Sequence, residues 1–285
     1  MIRHILILLI LSSAGQSVFA QGNDDDFTQV VYKQIDTVTL SMDIYYPPEM
    51  DEAESYPAMI FFFGGGWKGG SVKQFEPHAK YFSGRGIICV LADYRVESRQ
   101  KTSPFESLKD AKSAIRFIRK NASAFQIDTG KIIASGGSAG GHLAAATALV
   151  SEYNEPGKDL SVNCVPNALV LFNPVIDNGP GGYGHERIGA AYKEFSPLHN
   201  IGAGAPPTIF FLGTNDKLIP VETAKYYQKV MEKVDSRCEL FLYEDQPHGF
   251  FNFENREYYN KTVLESDKFL ISLGYLTGQP EIILD

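Results

Sequence analysis

Ser138 stands in the run Ile132-Ile133-Ala134-Ser135-Gly136-Gly137-Ser138-Ala139-Gly140-Gly141, where an apolar stretch leads into Gly-x-Ser-x-Gly and an alanine-rich stretch follows. A strand that turns sharply into a helix at such a serine forces strained backbone on it, and small neighbours at Gly136 and Gly140 keep the turn free of collisions. The hydroxyl is then held out above a helix N-terminus. A serine hydroxyl is a weak nucleophile until a base takes its proton, so the motif calls for a base and for an acid that orients it.

Beyond residue 20 the chain offers five histidines, His78, His142, His185, His199 and His248. With this kind of turn the acid and then the histidine follow the nucleophile in chain order. The segment 211–220 places Asp216 in a loop after an apolar run, and only His248, in Gln246-Pro247-His248-Gly249-Phe250, lies beyond it. Ser138, Asp216 and His248 are therefore the expected catalytic set, with Glu244 and Asp245 as the alternatives for the acid. His142, just inside the helix after Ser138, reads as structural support. His78, His185 and His199 lack a partner with matching logic and read as surface or supporting residues.

Attack on an acyl carbonyl develops negative charge that fixed N–H donors must meet. One donor is expected from Ala139, the residue after the nucleophile. The others are expected from Phe63-Gly64-Gly65-Gly66-Trp67-Lys68-Gly69-Gly70, where bare backbone admits a substrate, with Gly65 and Gly66 as the donors. A phosphate-cradling loop is excluded, because no GxxxxGK[ST] pattern follows. Glycine makes up 26 of the 285 residues, and nine of the 26 fall in these two loops.

The elements that must position these groups follow from the apolar pattern. Residues 28–46 alternate apolar and polar, which predicts an antiparallel hairpin at a sheet edge. After Pro57 the apolar runs become short and continuous, at 58–63, 87–91, 131–134, 168–172, 208–212 and 238–243. Strands apolar on both faces are those of a parallel sheet covered by helices. Between them, 104–121 carries Leu108, Ala111, Ala114, Ile115 and Ile118 at helical spacing, and 139–150, 221–234 and 259–273 also read as helices. The expected fold is α/β, a mostly parallel central sheet with an N-terminal antiparallel hairpin and helices on both faces.

Composition narrows the setting. With 26 basic against 34 acidic side chains the net charge is −8, which argues against a nucleic-acid partner, since that affinity needs lysines and arginines on phosphates. Hydrophobic residues at 44% and charged residues at 21% describe a globular chain. Arg3, the apolar run Ile5 to Leu11 and the small-x-small site Val18-Phe19-Ala20 read as a signal peptide over 1–20, cleaved before Gln21. The run is too short for a stable membrane anchor. Residues 21–285 then form one catalytic domain. Of the three cysteines, Cys89 and Cys238 read as buried strand thiols and Cys164 as a loop residue, leaving one disulfide open. No residues show metal-ligand spacing.

Taken in order, the glycine loop at 64–67, Asp93-Tyr94-Arg95, the serine turn at 136–140 and the acid and histidine loops resemble the α/β-hydrolase superfamily, in its branch of bacterial acetyl esterases and hormone-sensitive-lipase-like carboxylesterases. The resemblance covers residues 30–275. It implies a serine carboxylesterase with an acyl-enzyme intermediate and no cofactor. Two positions depart from the family pattern: Phe63 replaces the histidine of the usual HGGG loop, so apolar packing must support it, and Gly137 replaces the aspartate that often precedes the serine. The short N-terminal segment leaves no room for the helical cap of the lipase relatives, so little or no cap is expected. The glycine-rich loop 178–184, in a second lid position, is too polar for a greasy lid. An open site on an exported chain points to short-chain esters and acetylated polysaccharide, with Trp67, Tyr94, Tyr183 and Phe250 as candidate substrate contacts. A serine peptidase of the same fold and a non-catalytic binding scaffold are the competing expectations. Oligomeric state has no signature in the sequence.

Overall fold

The apolar runs pair into one sheet. The computed structural model describes residues 21–22, 26–157 and 159–282; the signal peptide expected over 1–20 lies outside them. The strands are β1 (Gln21–Gly22), β2 (Thr28–Ile35), β3 (Val38–Tyr45), β4 (Tyr56–Phe62), β5 (Ile88–Ala92), β6 (Ile127–Gly137), β7 (Ala168–Phe172), β8 (Thr208–Gly213) and β9 (Cys238–Tyr243). Their spatial order is β1-β2-β3-β5-β4-β6-β7-β8-β9. Pairing is antiparallel from β1 through β3 to β5 and parallel from β5 to β9. The chain steps outward from β4 to β5, then returns across β4 to β6. Loops leaving β4 and β6 therefore part at a crevice on the carboxyl edge, where ligands bind in open α/β sheets.

Alternation along the strands feeds two cores. Ile60, Phe62, Ala134, Leu169, Phe210 and Leu212 face the helices Pro104–Lys120, Ala139–Leu149 and Val221–Lys233. Met59, Phe61, Leu91, Ile133, Val170 and Phe211 face the helices Glu76–Gly84 and Arg256–Ser272. The helix after Ser138 is buried on nearly every side, from Ala139 through Thr147, as an alanine-rich helix without a polar face must be. Pro104 starts its helix behind a capping box between Ser103 and Glu106.

Three features were not legible in the periodicity. The helix Glu76–Gly84 buries His78, Ala79 and Phe82, and a histidine on the inner face blurs its apolar stripe. A bulge between Val31 and Lys33 turns Lys33 inward, where it meets Asp110 and Glu155 beside Arg95. That cluster ties the hairpin to the helix Pro104–Lys120. The lid position carries only short turns of helix, His185–Ile188 and Tyr192–Phe195. All three cysteines are buried and unpaired. Cys164 lies in a loop, as expected, but is buried there without a disulfide partner, its Sγ 3.8 Å from the Thr147 carbonyl.

Candidate active site

Ser138 ends the run of β6 with φ 54° and ψ −120°, a conformation that costs about 1–3 kcal/mol and persists only where neighbours enforce it. Here they do. Its N–H donates to the Phe172 carbonyl at 3.0 Å, and its carbonyl accepts from His142 and Val175. A Cβ on Gly140 would stand 2.0 Å from the Phe62 carbonyl oxygen, so the turn fits against β4 only without a side chain. Gly137, where relatives often carry aspartate, faces the Phe251 ring, 2.4 Å from a Cβ built there. The aromatic ring occupies that space.

The three residues selected from chain order meet. His248 Nε2 lies 2.8 Å from Ser138 Oγ, and His248 Nδ1 lies 2.7 Å from Asp216 Oδ2. The Asp216 side chain is fully buried, while the His248 ring keeps 22% of its surface. Asp216 Oδ1 accepts from the amides of Leu218 and Ile219 at 2.8 and 3.0 Å, which fixes the carboxylate with one oxygen toward the imidazole. Asp216 does not cap the following helix; Pro220 holds that position. Contacts between the acid and histidine loops keep the pair in register: Asn215 N–H donates to the Gln246 carbonyl and Thr214 N–H to that of Tyr243.

Gly65 and Gly66, at φ +125° and +64°, keep their amides free of protein acceptors. Gly64 does not, because its N–H donates to Gln74 Oε1 at 2.6 Å. Among the described residues the amides of Gly65, Gly66 and Ala139 donate to no protein acceptor. Ala139 opens a helix, so its N–H has no intrahelical partner and adds the positive end of the helix to the site.

Three of the four aromatic candidates are corrected by the structure. Trp67 is 1% exposed and packs edge-on against His142 and Phe195. Tyr94 has no exposed surface; its ring stacks on Phe63. Phe250 is 2% exposed, among Tyr243 and Tyr258. These rings offer no face to a substrate, because each fills a core beneath its loop. Tyr183 alone is partly exposed, with its hydroxyl 2.5 Å from where a Cβ of Gly66 would stand. It lines a cleft of about 200 Å3 with Asp177, Leu218, Ile219 and Thr223. His142 is structural: its Nε2 lies 3.2 Å from the Phe195 carbonyl, and burial pushes its imidazole down to about 3.

Sequence reading missed Asn173. It is fully buried at φ 34°, accepts from the Gly249 amide at 2.9 Å, and brings Nδ2 to 3.4 Å from His248 Nε2. The available signal was an asparagine at a strand's carboxyl end, a residue type that tolerates left-handed backbone.

Fold and site together define a hydrolase with a serine nucleophile, an aligned base and acid, and preset N–H donors. Residues 42–178 match the BD-FAE family and residues 181–268 the dienelactone hydrolase family. The structure superposes on Thermogutta terrifontis esterase 2 phosphorylated by paraoxon with a TM-score of 0.84 at 43% identity, covering 89% of this chain and 96% of that one. The chain belongs to the α/β-hydrolase esterase family. It is also 26% identical to a probable carboxylic ester hydrolase, LipM, of Mycobacterium tuberculosis, over 69% of this chain and 49% of that protein. An acetylxylan esterase of Xylanibacter ruminicola is 26% identical over 58% of this chain and 35% of its own. The chain spans about half the length of the first curated relatives it matches.

Proposed function

We propose that this protein is a serine carboxylesterase that hydrolyses short-chain acyl esters and removes acetyl groups from carbohydrate after export. The observation that carries the chemistry is the unbroken chain from Asp216 through His248 to Ser138. Ser138 Oγ attacks the ester carbonyl as its proton passes to His248 Nε2. Asp216 holds the imidazole and stabilises its charged form. The oxyanion is met by the amides of Gly65, Gly66 and Ala139. Collapse releases the alcohol with the proton from His248 and leaves acyl-Ser138. Water, giving a proton to the same nitrogen, then attacks and frees the carboxylic acid and the serine.

Short acyl groups suit a site whose lid position carries only the glycine-rich loop around Tyr183 and short turns of helix. Structures of Thermogutta terrifontis esterase 2 with propionate and with butyrate bound, at 42% identity, point the same way. Carbohydrate as the alcohol is supported by the likeness to the acetylxylan esterase and by the polar loop around Tyr183. Export rests on the pattern of residues 1–20.

The test is acetate release from a panel of acetylated polysaccharides and from p-nitrophenyl esters of increasing chain length. Ser138→Ala is expected to lower kcat by about 10⁶-fold. Rapid cleavage of long-chain lipid esters without acetate release would sink the substrate reading. A fluorophosphonate that leaves Ser138 unlabelled in folded protein would sink the mechanism. Protein recovered outside the producing cell should begin at Gln21.

A further inference from the structure

Two loops that carry opposite halves of the site are joined by a chain of side-chain amides. Gly64, at the root of the donor loop, gives its N–H to Gln74 Oε1 at 2.6 Å. Gln74 Nε2 donates to Asn252 Oδ1 at 2.9 Å. Asn252 Nδ2 donates to the carbonyl of Gly249, the residue after the base, at 2.8 Å. We propose that Gln74 and Asn252 are positioning residues that lock the oxyanion loop to the histidine loop, so that the donors and the base are held in register with each other. The inference rests on the esterase reading of the site.

The direction of every link supports this. Each amide uses its oxygen toward one loop and its nitrogen toward the other, and rotating either one places two like groups face to face. The bridge therefore has one orientation, and it specifies where both loops stand. Tying down the Gly64 amide leaves those of Gly65 and Gly66 to turn toward the crevice. On the other side, Gly249 N–H is held by Asn173 Oδ1 at 2.9 Å, so the residue next to His248 is fixed at both its amide and its carbonyl. Neither Gln74 nor Asn252 hydrogen-bonds to Ser138, Asp216 or His248. Their influence passes through the loops, where small misplacements of donors or base cost rate and not binding.

The experiment is steady-state kinetics on p-nitrophenyl acetate with the full chain carrying Gln74→Met, Asn252→Ala, both together, and Gln74→Glu. The last keeps an acceptor for Gly64 but sets oxygen against Asn252 Oδ1, breaking the bridge with almost no change of shape. Each variant is expected to lower kcat by about tenfold to a hundredfold while KM stays within about twofold. The double variant is expected to lose no more than the worse single one, because a bridge cut once is already cut. Loss of kcat in Gln74→Glu with an unchanged melting curve separates positioning from misfolding. Variants whose kcat stays within about twofold of the parent, or single effects that multiply in the double, would overturn the proposal. Should the parent cleave no ester, the esterase reading falls instead. The bridge is then judged by the rate at which a fluorophosphonate labels Ser138, expected to slow in the same variants and overturned by equal rates.

Discussion

Tyr94 Oη donates to the carbonyl of Phe63 at 2.7 Å while the two rings stack with centroids 4.1 Å apart. One tyrosine thus holds the residue that enters the oxyanion loop by both its side chain and its backbone. This supplies the support that a histidine at position 63 gives elsewhere in the family. Tyr94→Phe keeps the stacking and strands a buried carbonyl, so it should cost about 1–3 kcal/mol of stability. Tyr94→Leu should cost a further 0.5–1.5 kcal/mol or so, as the ring pair is lost. Urea denaturation of the two variants orders the terms. Equal stability of Tyr94→Phe and the parent would remove the hydrogen bond from the account.

Gly137 answers to Phe251. Because a Cβ at 137 would stand 2.4 Å from the Phe251 ring, Gly137→Asp, which restores the common family residue, should destabilise by about 1–3 kcal/mol through overpacking. In a Phe251→Ala background the ring is gone and the penalty should largely vanish. A double-mutant cycle measures this, and strict additivity would show that the two positions do not compete for space.

What the sequence disclosed and withheld divides along physical lines. The parallel sheet was legible because runs such as 168–172 and 209–212 are apolar at every position, which only a strand covered on both faces requires. Ser138, Asp216 and His248 were legible because their order along the chain follows from the order of strands that carry them. The fate of Trp67, Tyr94 and Phe250 was not. An aromatic residue in a loop has the same local signature whether it faces a substrate or plugs a core, and only the packing of distant segments decides. Gln74, Asn173 and Asn252 were hidden for the same reason, since polar side chains in loops and single helical turns carry no period. Their partners are set by where β4, β7 and β9 end.

The thiols should be silent in the folded protein. Burial raises Cys89 well above the usual thiol range and pushes Cys238 up to about 12, so the reactive thiolate is nearly absent at pH 8. Cys164 is buried as well. Ellman's reagent should detect no thiol in native protein and three after denaturation without reductant. Fewer than three on unfolding would reveal a disulfide.

Acid should weaken the fold through two histidines outside the triad. His78 is enclosed by the rings of Phe61, Phe75, Phe172, Phe251 and Tyr259, and among the described residues neither of its nitrogens has a hydrogen-bond partner. Burial lowers both His78 and His142 to about 3 from an ordinary value of 6.5. Below pH 6.5 the unfolded chain takes up protons on these rings and the folded chain does not, so stability falls as the pH drops from 6.5 toward 3. By pH 5 each ring should account for about 2 kcal/mol of lost stability. Replacing His78 with leucine removes its share, so the difference in unfolding free energy between pH 7 and pH 5 should shrink by about 2 kcal/mol. Urea titrations of parent and His78→Leu at the two pH values measure that difference. If the variant keeps the parent's full pH dependence, His78 is not the proton-linked group.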